Sequence, residues 1–131
     1  MIGMAGLNDR ALALIQRQKH FVLDVVKLCE ALPKGMAYEI FSRQVIRSAS
    51  SIGANYRAAC RAKSGKDFIN KMKIVEEEAD ETIHWLELIA ELPQANKDGA
   101  NALAKVADEF VSIAVASIRT ARNRNNADGG N

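Results

Sequence analysis

From Tyr38 to Leu92, apolar residues return at every third or fourth position through two long stretches, broken only at Lys63-Ser64-Gly65. That period belongs to a helix with one buried face and argues against a strand. The first stretch sets Tyr38, Phe41, Val45, Ala49, Ile52, Tyr56 and Ala59 in one stripe. The second does the same with Phe68, Met72, Val75, Ala79, Ile83, Leu86 and Ala90. The break carries its own start signal: Ser64-Gly65-Lys66-Asp67 reads as a capping box, the Ser64 hydroxyl on the Asp67 amide and the Asp67 carboxylate reaching back. Two long helices joined by so short a turn form an antiparallel hairpin.

The flanks repeat the pattern. Asn8 or Asp9 can cap a helix running to about Ala31, which Leu32-Pro33-Lys34-Gly35 stops. Asn96 or Asp98 can cap a last helix to about Arg122, with Leu103, Val106, Ala107, Phe110, Ile113, Ala114, Ser117 and Ala121 along its inner side. The expected fold is all-α, an up-down-up-down four-helix bundle over residues 1–123. Residues 124–131 carry no apolar pattern and are expected to form a flexible tail. In the middle of helix 2, Ser48-Ala49-Ser50-Ser51-Ile52-Gly53-Ala54 is built from small residues. Gly53 costs about 1 kcal/mol relative to alanine there, which close approach by a neighbouring backbone would justify.

Two of these surfaces exceed what one core needs. On helix 1, Leu14, Phe21 and Leu28 run beside Ile15, Val22 and Cys29, wider than the roughly 100° stripe of a bundle helix. On helix 3, Trp85, Leu88 and Leu92 lie off the main stripe. Leu14, Phe21 and Leu28 with Trp85, Leu88 and Leu92 are the candidate subunit interface, Trp85 its candidate aromatic anchor.

With 131 residues the chain is long enough for one core, and no apolar run approaches the ~20 residues of a membrane span. Ala11 to Ile15 is cut off by Gln16-Arg17, unlike a secretory leader. Cys29 and Cys60 sit among apolar neighbours, as reduced core thiols of a cytoplasmic protein would.

No catalytic constellation is present. Glu81-Thr82-Ile83-His84 matches one Glu-x-x-His element of a di-iron bundle, but the only other histidine, His20, has Arg17 three residues before it. No phosphate loop or nucleophile-base pair can be drawn, so the expectation is a non-enzymatic protein with no metal and no cofactor.

Charge layout is more informative than net charge, which is only +2. Between residues 43 and 73 the basic residues are Arg43, Arg47, Arg57, Arg61, Lys63, Lys66, Lys71 and Lys73, opposed by Asp67 alone. From 74 to 91 the ionised residues are all acidic: Glu76, Glu77, Glu78, Asp80, Glu81, Glu87 and Glu91. A hairpin turning at Ser64-Gly65 brings Arg47 level with Glu81 and Arg43 level with Glu87. Near the turn no comparable acids remain, and Arg57, Arg61, Lys63, Lys66, Lys71 and Lys73 become a candidate footprint for phosphate backbones. Tyr56 and Phe68 are the only aromatics among them, and both lie on core stripes. Such contact would be independent of base sequence. The alternative is a structural or protein-docking scaffold whose arginines are consumed between subunits.

Arg47-Ser48-Ala49-Ser50-Ser51-Ile52-Gly53-Ala54-Asn55-Tyr56-Arg57, with Glu77-Glu78-Ala79-Asp80-Glu81-Thr82 and Trp85-Leu86-Glu87, resembles the bacterial four helix bundle proteins encoded in intervening sequences of large-subunit ribosomal RNA. The resemblance implies a four-helix subunit assembling into a homopentameric ring without enzymatic activity. It extends in fold to the accessory protein of diversity-generating retroelements, which binds nucleic acid and a reverse transcriptase through a basic surface. It marks Arg47, Ser51, Asn55 and Glu81 as structural polar positions tying helix 2 to helix 3 or to the next subunit. Many relatives carry glutamate where this chain has Ala58.

Overall fold

Each break in the apolar period becomes a helix end with an identifiable cause. In the computed structural model, which describes residues 7–127, the helices are α1 (Asp9–Glu30), α2 (Met36–Cys60), α3 (Gly65–Ala90) and α4 (Lys97–Ala127). Asn8 caps α1, its side-chain oxygen accepting from the Ala11 amide at 2.8 Å. Gly35 opens α2 at φ 155°, a backbone conformation that side chains disfavour, and the Tyr38 ring packs where a Cβ would stand. Ser64 caps α3 by accepting from the Asp67 amide at 3.1 Å. The Asp67 carboxylate reaches back as far as the Lys63 amide at 3.4 Å. Of the two candidates for α4, Asn96 is the cap, accepting from the Gly99 amide at 2.9 Å.

Consecutive helices pack against one another in an up-down-up-down order, α3 lying between α2 and α4 along most of its length. No strand occurs among the described residues. The core runs through Val25, Val45, Ile52, Met72, Val75, Leu86, Ile89 and Phe110, all at most 2% exposed. Helix α1 closes the bundle less tightly, meeting α4 over a short stretch where the Phe21 and Phe110 rings stand edge to face at 5.3 Å. There Arg17 pairs with Glu109 and lies over the Phe110 ring at 5.4 Å from its centroid.

Three expectations are corrected. First, α4 continues to Ala127 and does not stop near Arg122, so residues 124–127 are helical; residues 128–131 of the expected tail lie outside the described residues. The extension has a neighbour: the Asn125 side chain sits against Gly65 at the start of α3, where a Cβ would come within 2.8 Å of its Nδ2. Second, what faces Gly53 is the Gln18 side chain and not a backbone, at an ordinary 3.6 Å from where a Cβ would stand. Third, Phe21 and Leu28 are buried within the chain at 3% and 7% exposure, so they belong to its own core and not to a subunit interface. Leu14, Trp85 and Leu92 are half-buried against that core, and Leu88 remains exposed.

Candidate nucleic-acid interface

The α2–α3 hairpin has the register that its charges imply in one place and not in the other. Arg47 reaches across to Glu81 and, at 3.2 Å, to Glu78. Glu81 also accepts from the Trp85 indole at 3.2 Å. That indole packs beside Phe41, ring centroids 5.7 Å apart, and His84 meets its edge. The Glu81 carboxylate is therefore committed to Arg47 and Trp85. Arg43 instead pairs with Glu39 on its own helix at 2.9 Å, not with Glu87, because a partner one turn away requires no crossing between helices.

The other marked polar positions behave differently. Asn55 donates to the Ser51 carbonyl on its own helix at 2.9 Å. The polar tie between α2 and α3 in the core is made by Ser48 and Thr82, whose hydroxyls lie 2.8 Å apart with both residues fully buried. Apolar periodicity passes over both residues, since neither is apolar.

Antiparallel topology gathers the C-terminal ends of α2 and α4 with the N-terminal ends of α1 and α3. Of the expected cluster, Arg61, Lys63, Lys66 and Lys73 are exposed at this end, and Arg57 and Lys71 are half-buried. Among the described residues none of the six forms an ion pair. They do not share one rim. Lys66 and Lys73 border a shallow groove of about 530 Å³ between α3 and α4, completed by Asn70, Arg122, Asn125 and Asn126. Lys73 also borders the adjoining hollow with Arg119, Arg122 and Glu76. Arg57 turns to the other side, beside Lys19, Leu23 and Gly53 in a groove between α1 and α2. Lys71 stands one heptad before Glu78 and two before Trp85, on the flank of α3 that faces α2.

The structure adds cations that lie outside the hairpin. Arg119, Arg122 and Arg124 come from the end of α4, and Arg10 from the start of α1. The sequence carries a signal for them: an up-down-up-down order returns the last helix to the α2–α3 turn, and its final turns are basic. Few carboxylates offset them, and Asp67, the nearest in sequence to the turn, is engaged in capping.

On the face between α1 and α4 the same end opens into a groove of about 1020 Å³. Leu14, Tyr56, Phe68 and Ile113 line it, so the two aromatics on core stripes are only half-covered. Burial is the main cause that holds the Tyr56 phenol well above its usual range, and the neighbouring Cys60 thiol adds to it. Burial also raises the Cys60 and Cys29 thiols. Among the described residues no three His, Cys, Asp or Glu side chains converge as metal ligands, and no helix is long and apolar enough to cross a membrane.

Residues 10–116 match the family model of the 23S rRNA-intervening sequence protein. A solved structure of a protein of unknown function from the S23 ribosomal protein family of Bacteroides thetaiotaomicron is similar, at 30% identity and a TM-score of 0.74. The match covers 83% of this chain and 97% of that one. No curated protein matches the chain.

Proposed function

Because the chain belongs to the 23S rRNA-intervening sequence protein family, we infer that it is a non-enzymatic bundle that binds RNA or DNA backbones through its basic end, as an accessory of a ribonucleoprotein. The observation that carries this reading is the set Lys66, Lys73, Arg119 and Arg122 along the α3–α4 groove, none in an ion pair among the described residues. Further along the hairpin, away from this end, Arg43 pairs with Glu39 and Arg47 with Glu78 and Glu81. Cations that outnumber the acids at one end, where Glu76 alone shares the hollow with Lys73, Arg119 and Arg122, create a field suited to phosphates. Assembly of copies into a ring, which the family resemblance implies, would multiply weak contacts by avidity.

The test is retention of RNA and DNA oligonucleotides by the full chain across a salt series. Binding should weaken steeply with salt. Lys66→Glu, Lys73→Glu and Arg122→Glu together should lower the salt slope by about one for each phosphate that is no longer engaged. Light scattering should show unchanged particle size. Absence of retention even at low salt would refute the reading and leave a scaffold without nucleic-acid binding.

A further inference from the structure

The α1–α4 groove differs in chemistry from the rest of the basic end. Its floor is apolar and aromatic, from Leu14, Tyr56, Phe68 and Ile113. Its edges carry Arg10 and Arg124, neither in an ion pair among the described residues, and Arg17, which Glu109 already holds. Among the described residues no carboxylate side chain lines it, and the Ser117 and Thr120 hydroxyls do. A surface meant only for a duplex backbone needs charge and shape but no aromatic floor. A base taken out of its stack needs an aromatic or apolar platform with cations near enough for its phosphate. The volume, about 1020 Å³, lies at the upper end of the usual range for small-molecule sites and is ample for one nucleotide.

We propose that this groove receives an unpaired nucleotide of a single-stranded nucleic acid, its base against Tyr56 and Phe68 and its phosphate at the Arg10 and Arg124 edge. The inference rests on the backbone-binding reading and adds a preference for single strands over duplex. Charge complementarity also suits an acidic amphipathic helix. Such a helix seeks a continuous apolar trough, however, and here hydroxyls and amides from Asn8, Ser117 and Thr120 interrupt the lining.

The test uses the full chain with a single-stranded oligonucleotide carrying 2-aminopurine, a duplex of equal length, adenosine monophosphate and inorganic phosphate. The expected result is quenching of the 2-aminopurine on binding, tighter retention of the single strand than of the duplex, and thermal protection by the mononucleotide beyond that by phosphate. Tyr56→Leu with Phe68→Leu should weaken single-strand binding on the order of tenfold and leave duplex binding unchanged. Should that pair fail to fold, Arg124→Glu on the exposed end of α4 should still reduce the quenching several-fold. Equal retention of single strand and duplex without quenching would overturn the groove and leave backbone binding standing. Loss of all retention would overturn both. An acidic helical peptide that shifts the Tyr56 and Phe68 resonances, where the mononucleotide shifts neither, would overturn it in favour of protein docking.

Discussion

Replacing Ser48 by alanine and Thr82 by valine, singly and together, tests whether the α2–α3 interface depends on one buried hydroxyl pair. Both residues are fully buried, and their oxygens lie 2.8 Å apart. Thr82 is also 2.7 Å from the Glu78 carbonyl, and Ser48 is 3.3 Å from that of Val45. Two protons thus serve three contacts, and the relay is satisfied whichever way it runs. Removing one hydroxyl leaves the other with part of its bonding unmade away from water, at a cost of about 1–2 kcal/mol. Removing both leaves no orphan, because valine keeps threonine's shape and alanine leaves only a small void. The double variant should therefore cost about as much as the worse single one, a coupling of about 1 kcal/mol. In a domain of this size that is a difference of about 3–5 °C in Tm. Urea or thermal unfolding followed by circular dichroism, at one protein concentration, would measure it. Strictly additive costs would show that the hydroxyls act independently and would refute a shared relay.

Gly53→Ala should raise stability by about 0.5–1 kcal/mol, because a Cβ there meets Gln18 at an ordinary 3.6 Å and removes the glycine penalty inside α2. A lower midpoint in urea would mean that the face beside Gly53 is closed to even one methyl. The thiols give a pH test. Burial raises Cys29 and Cys60 above the ordinary value of 9.0, so the folded state holds these protons more tightly than the unfolded one. Their contribution is present below pH 9 and is lost as pH rises through the folded values. Stability should fall above about pH 9, less so in Cys29→Ala with Cys60→Ala after allowance for packing. Thiol titration should be slow at pH 8 until the chain is unfolded, and rapid titration of the native chain would contradict the burial.

Local rules make most of the bundle readable. The Ser64 cap, the breaks at Pro33 and Pro93, and the pairing of Arg47 with Glu81 all follow from spacing along one or two helices. What stays hidden depends on contacts that no local pattern encodes. The last turns of α4 have no apolar period, and Asn125 meets Gly65 from the far end of the chain. Ser48 and Thr82 occupy core positions through each other, so a count of apolar residues alone leaves them out. By its pattern, helix α1 is broad enough for a second interface only if Phe21 and Leu28 are surplus, whereas Phe21 fills the gap toward Phe110. The stripes of Tyr56 and Phe68 place both in the core. Their exposure to a groove follows from the loose approach of α1 to α4, which is a property of the packed whole.

Helix polarity separates the cations that help the fold from those that do not. Arg57 in the last turn of α2 and Arg124 in the last turn of α4 complement the negative ends of their helices. Such residues would be favoured in a protein that bound nothing. Lys66 is placed differently: it stands in the first turn of α3, at that helix's positive end, and pairs with no carboxylate among the described residues. Its charge opposes its own helix by about 0.3–1 kcal/mol. Lys66→Glu should therefore make the free protein more stable by roughly that amount while weakening the nucleic-acid retention proposed above, two effects of opposite sign in one variant. Destabilisation would mean that Lys66 serves the fold after all. A stability gain with unchanged retention would place the phosphate contact elsewhere on the basic end.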